Sequence, residues 1–171
     1  GYRVTGGGKI YHLAYPDPQS WHQYFPSQQR NRPADPAPEE VPANGIPNTA
    51  HFDWGPLDVP DSRMGDYQVV DWAAAELNRK HDRPFFLACG IYRPHLPWYV
   101  PRKYFDMHPL SKIVLPKVNE HDLDDIPPVG RKFARPEGDH ARVTQHGQWE
   151  RAVQGYLASI TFADAQVGRL V

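Results

Sequence analysis

Residues 83–105, RPFFLACGIYRPHLPWYVPRKYF, decide how the chain is read. The apolar run from Phe85 is bounded by Pro84 and Gly90, the composition of a strand buried on both faces of a sheet. Pro94, Pro97 and Pro101 clamp the following residues into an ordered loop, because proline fixes φ and removes a backbone donor. Upstream, DYQVVDWAAAELNRKH (66–81) spaces Val69, Trp72, Ala73, Glu76 and Leu77 at helical intervals, with Asp66 placed to cap the first turn and basic residues in the last. A helix feeding a buried strand is the signature of an α/β fold with a parallel sheet, which places its ligands at the carboxyl ends of strands. The proline-clamped loop is therefore the first place to look for a site.

A second strand with the same polarity is expected at the amino-terminal end, where GYRV leads into GGGKIYH (6–12). Three glycines before a lysine suggest a nucleotide loop, but that loop needs a hydroxyl residue after the lysine and a glycine at position 3. Ile10 and Arg3 occupy those positions, and Pro16, Pro18 and Pro26 exclude the helix that would follow. What remains is a strand, a glycine turn, the point charge of Lys9 and, three residues on, His12. Taken alone, Lys9 also reads as a solvated lysine and His12 as a histidine bonded to a carbonyl. Residues 13–64 hold most of the prolines and read as one long loop, a length that is usually functional or wrapped around a larger body.

Composition narrows the classes. With 171 residues, 40% of them apolar and 12% aromatic, the chain has material for one folded domain, and all of 1–171 reads as a single α/β segment. Its 19 basic and 20 acidic residues leave no electrostatic footprint for nucleic acid. No apolar run reaches bilayer length, and no leader sequence is visible at residue 1. One cysteine allows neither a disulfide framework nor a multi-cysteine metal site, and 19 prolines, about twice the ordinary share, favour extended loops. At the other end, WERAVQGYLASITFADAQVGRLV (149–171) sets Val153, Tyr156, Leu157, Ile160, Ala163, Val167 and Leu170 on one helical stripe expected to face the core. That pattern runs to the last residue without a stop signal, as an interior segment of a larger protein would.

GGGKIYH, RPFFLACGIYRPHLPWYVPRKYF and GYLASITFADAQVGRLV, in that order, resemble the sulfatases of the alkaline-phosphatase superfamily, most closely the iduronate-2-sulfatase-like branch; LDVPDSRMGDYQVVDWAAAEL resembles the helix before the histidine strand. The resemblance implies a mixed, mostly parallel sheet flanked by helices, with long proline-rich loops, and hydrolysis of sulfate esters, those of a sulfated carbohydrate first among them. It matches Lys9 to the lysine at the sulfate, His12 to the histidine that bonds the nucleophile, and His95 to the histidine that reaches the sulfate or the leaving oxygen. It implies calcium and a formylglycine nucleophile whose residues are not in this chain, so that the 171 residues alone are expected to be inactive. It also implies a secreted, periplasmic or lysosomal parent.

Cys89 does not supply the nucleophile pattern, because Ile91 stands where Pro or Ala is required; it reads as a small buried hydrophobe. Asp139 and His140 in GDHARVTQHG precede the last helix, the wrong order for the family's metal pair, and are assigned to a surface loop. NEHDLDDIPP (119–128) has oxygens for a hard cation but reads as a solvated loop. A phosphodiesterase or phosphonate hydrolase of the same superfamily and a non-catalytic carbohydrate-binding relative are the alternatives. Oligomeric state is not legible.

Overall fold

The computed structural model describes residues 1–171. Strand β1 (Arg3–Gly8) is the middle of a three-stranded sheet between β2 (Gln23–Phe25) and β4 (Phe85–Gly90). A second sheet pairs β3 (Trp54–Leu57) with β5 (Trp98–Pro101), and every pairing in both sheets is parallel. The α/β class with a parallel sheet is as expected. The 13–64 stretch is more than loop, since β2 and β3 lie within it, one in each sheet.

The glycines belong to β1 and not to a turn after it. Successive residues of a strand face opposite sides. Gly6 lies under the Trp21 ring and Gly7 under the Trp72 ring of α1 (Gly65–Leu77); a Cβ would come to 2.5 Å from the first ring and 2.7 Å from the second. Trp72 stacks in parallel on Phe25 of β2, with centroids 5.6 Å apart, so one ring covers two strands. Bare backbone in β1 is what lets aromatic rings close on the sheet from both sides.

α1 starts one residue earlier than expected, at Gly65, and ends at Leu77, so Arg79 and Lys80 fall beyond its last turn. Its N-cap position is Met64 with no side-chain cap bond. Asp66 is not a cap; its carboxylate is committed to the loop after β4, as described below. Val69, Val70, Ala73 and Glu76 face inward, while Leu77 is exposed.

β4 departs from the expected strand buried on both faces. It is an edge strand paired only with β1, and Phe85 and Phe86 are 37% and 53% exposed. The apolar run was read for its composition, which is the same whether or not a neighbour covers it.

The larger core lies under the second sheet. Leu57, Met64, Tyr99, Val100, Tyr104 and Phe105 pack against Ala158 and Phe162 of α5 (Trp149–Gly168), with Tyr104 and Phe105 contributed by the short α2 (Arg102–Asp106). Here the expected stripe is reversed. α5 buries Ala152, Gly155, Ala158, Ser159, Phe162 and Gln166, and leaves Tyr156, Ile160 and Val167 exposed. The reason is clearance: a Cβ at Gly155 would stand 2.8 Å from the Cβ of Trp54, so only a small-residue face approaches β3 and β5 this closely. α3 (Pro128–Ala134) and α4 (Asp139–Gln145) complete the chain, and NEHDLDDIPP forms exposed turns before α3.

Candidate functional site

Parallel pairing fixes where the candidate residues emerge. Gly8 lies opposite Gly90, so the chain leaves β1 and β4 at the same edge. The Lys9 N–H donates to the Gly90 carbonyl at 2.9 Å, and the Tyr24 hydroxyl donates to the Gly8 carbonyl at 2.7 Å. Gly8 takes φ +80°, which turns the chain out of the sheet, and the space for a Cβ there is filled by the Gly90 carbonyl, 1.8 Å away. Lys9 is thus anchored by its backbone while its ammonium makes no ion pair or hydrogen bond.

The loop after β4 is held from α1. The Asp66 carboxylate, on a residue 1% exposed, accepts the N–H groups of Tyr92 and Arg93, each at 2.9 Å. Burial raises the Asp66 carboxyl above its ordinary value, and these two N–H donors pull it only part of the way back. The Arg93 side chain is buried, donating to the Tyr99 carbonyl of β5 and to the Asp35 carboxylate at 2.9 Å. Asp35 also accepts from Arg32 and from the Gly65 N–H. Burial pushes its carboxyl up, but Arg93, Arg32 and these hydrogen bonds outweigh burial and hold it below the usual carboxylate range.

Tyr92 stands at the centre of what this clasp presents. The Lys9 ammonium lies 5.3 Å from its ring centroid, the Arg32 guanidinium 3.5 Å, and the His95 ring 4.6 Å from it. His95 is exposed, between two prolines whose peptide bonds are cis. Its Nδ1 is 2.7 Å from the Leu96 carbonyl. A carbonyl only accepts, so Nδ1 carries the proton and Nε2 is the nitrogen left free in the neutral ring. Lys9 and His95 are therefore brought to one aromatic ring from strands distant in sequence. His12 lies on the segment leaving β1, exposed, with its ring 6.2 Å from that of Tyr15 and without a side-chain hydrogen bond, and no ring contact joins it to Tyr92.

Among curated proteins, a sulfatase of Formosa agariphila is 35% identical over 185 aligned positions that cover all of this chain and 35% of that protein. Along its whole length this chain is similar to sulfatases. Human iduronate 2-sulfatase is 29% identical, again over all of this chain and over 34% of its own length. A choline-sulfatase of Rhizobium meliloti is 27% identical over 101 positions, 56% of this chain. No family model matches. The sulfatase-like chain spans about a third of the length of the first curated relatives it matches.

Arg32, Asp35, Asp66 and Tyr92 escaped the sequence reading. Asp66 had a local explanation as a cap, and Arg32 lies in RNRPADP, where nothing in the spacing points 60 residues ahead to Tyr92. The sequence decoys make none of these hydrogen bonds or ring contacts. Cys89 is half-buried in β4, and burial pushes its thiol up to about 11. Asp139 and His140 are not in a loop but in the first turn of α4, where Asp139 pairs with His51 at 3.0 Å and His140 meets Trp149 edge-on at 4.8 Å. No helix is long and apolar enough to cross a membrane.

Proposed function

We propose that this chain carries part of the anion site of a sulfatase, and that the parent protein hydrolyses sulfate esters, those of a sulfated carbohydrate first among them. The convergence of Lys9 and His95 on Tyr92 carries that assignment. An unpaired ammonium and an imidazole with a free Nε2, both set against one ring, suit an oxyanion that gains charge in the transition state and an alcohol that must receive a proton on departure. Lys9 binds and orients the sulfate oxygens. His95 serves the sulfate or the leaving oxygen through Nε2, and His12 belongs to the nucleophile side.

Calcium and formylglycine enter as the family's groups. The residues gathered here do not fit calcium, because a hard cation takes several oxygen ligands and this cluster presents an ammonium, a guanidinium and an imidazole, with its carboxylates committed to N–H donors. Nor does Cys89 fit as the source of the nucleophile, set in a strand with a raised thiol pKa. No step is assigned to either group through this chain. The family's secreted, periplasmic or lysosomal setting belongs to the same proposal.

The test is a pair of histidine variants in the complete enzyme, assayed on a chromogenic aryl sulfate. His95→Ala lowers turnover by on the order of a hundredfold, the size expected for one acid-base or charge-stabilising group. His140→Ala, packed on Trp149 away from Tyr92, changes it by less than about threefold. Greater damage from His140→Ala overturns the assignment, and turnover of an aryl phosphodiester in preference to the sulfate favours the phosphodiesterase alternative.

A further inference from the structure

The Tyr92 ring touches Lys9, Arg32 and His95, three groups delivered by three different segments. Two of them carry full positive charge and repel one another. A π face attracts each cation and so offsets part of that repulsion. The ring itself is fixed at both ends. Its own N–H and that of Arg93 are held by the buried Asp66 carboxylate, and its hydroxyl donates to the Leu96 carbonyl at 3.3 Å. The two buried carboxylates are largely committed inward: Asp66 to those amides, and Asp35 to Arg93, Arg32 and the Gly65 N–H. The charge left unmatched is therefore that of Lys9, at the edge of the sheet.

From this arrangement we propose that Tyr92 is a positioning residue that gathers Lys9 and His95 around one oxyanion, and that Asp66 is the clasp that holds Tyr92 in place. Arg32, stacked on the same ring, adds a second cation to the array. This inference rests on the anion-site reading above and goes beyond it in naming the residues that organise the site.

The probe is inorganic sulfate, titrated at low ionic strength into the isotope-labelled 171-residue chain and followed by NMR shifts of His95 and Lys9. Tyr92→Phe keeps the ring and binds sulfate within about twofold of the parent chain, whereas Tyr92→Leu weakens binding at least about fivefold. Asp66→Asn keeps the size of the side chain but turns one acceptor into a donor facing an N–H. Hydrogen exchange at the Tyr92 and Arg93 amides then rises about tenfold, while exchange in β1 does not change. A merely structural ring would, on Tyr92→Leu, raise hydrogen exchange in β1 together with the loss of binding, whereas a positioning ring leaves the β1 amides unchanged.

Lys9→Ala separates the two levels of inference. If it abolishes sulfate binding while Tyr92→Leu binds as the parent does, the positioning role falls and the anion site stands. If Lys9→Ala binds normally, or sulfate shifts neither Lys9 nor His95 in the parent, the anion site falls and this inference with it. Unchanged amide exchange in Asp66→Asn overturns the clasp.

Discussion

Asp35 and Asp66 are both buried carboxylates of one cluster, yet their titrations have opposite signs. Asp35 is held below its ordinary value, so its contribution to stability is complete above the unfolded value near pH 4 and is lost as pH falls through the lower folded one. Asp66 is raised, so it holds its proton longer in the folded state and works against that trend. Asp35→Asn isolates the first effect. It leaves the Arg93 side chain, 1% exposed, facing a neutral amide and costs about 3 kcal/mol at neutral pH. Urea unfolding at stepped pH should show that gap narrowing below about pH 4. Cys89 gives an independent check, because a thiol raised to about 11 is scarcely ionised at pH 8. Alkylation by iodoacetamide should be on the order of a hundredfold slower than for a free cysteine.

At the scale of elements, clearance and not hydrophobicity decides which face is buried. α5 hides alanine, glycine and serine and shows Tyr156 and Ile160 to the outside, because its close approach to Trp54 leaves no room for larger side chains. Phe162 and Gln166 are the exceptions, both fully buried, with Phe162 edge-on to Tyr104 at 5.4 Å. Phe162→Ala should cost about 3–5 kcal/mol, whereas Ile160→Ser should cost less than about 0.5 kcal/mol; comparable losses in chemical denaturation would mean the faces are misassigned. β1 obeys the same rule. Gly8→Ala combines a positive φ with a Cβ driven into the Gly90 carbonyl, so it should destabilise the chain by about 3 kcal/mol or more.

Over the whole molecule, Arg93 belongs to the clasped loop and is also the polar link between sheets, bonded to Asp35 and to the β5 carbonyl of Tyr99. A lysine cannot reproduce its planar fork. Arg93→Lys should therefore raise hydrogen exchange in β5 and in the 91–97 loop together, with the β1–β4 ladder unaffected. Exchange rising in both sheets alike would show that the link is general packing instead. Arg169 also joins the end of α5 to α1 through the Tyr67 carbonyl and Asp71, so the helix packed on the second sheet is tied to the helix packed on the first.

Local order was legible in the sequence because it depends on near neighbours: the strand at Phe85–Gly90, the helix that precedes it and the long final helix, while Lys9, His12 and His95 enter as the candidates that the sequence proposes. Parallel pairing followed from the helix between strands. Tertiary structure alone decided the rest. Whether an apolar strand is central or at an edge depends on which strand lies beside it, and which face of α5 is buried depends on the clearance to Trp54. Asp66 became a clasp instead of a cap, and Arg32 met Tyr92 across 60 residues, only because the fold closed those distances. Such contacts join residues with no periodic relation in the chain, so they leave no pattern to read.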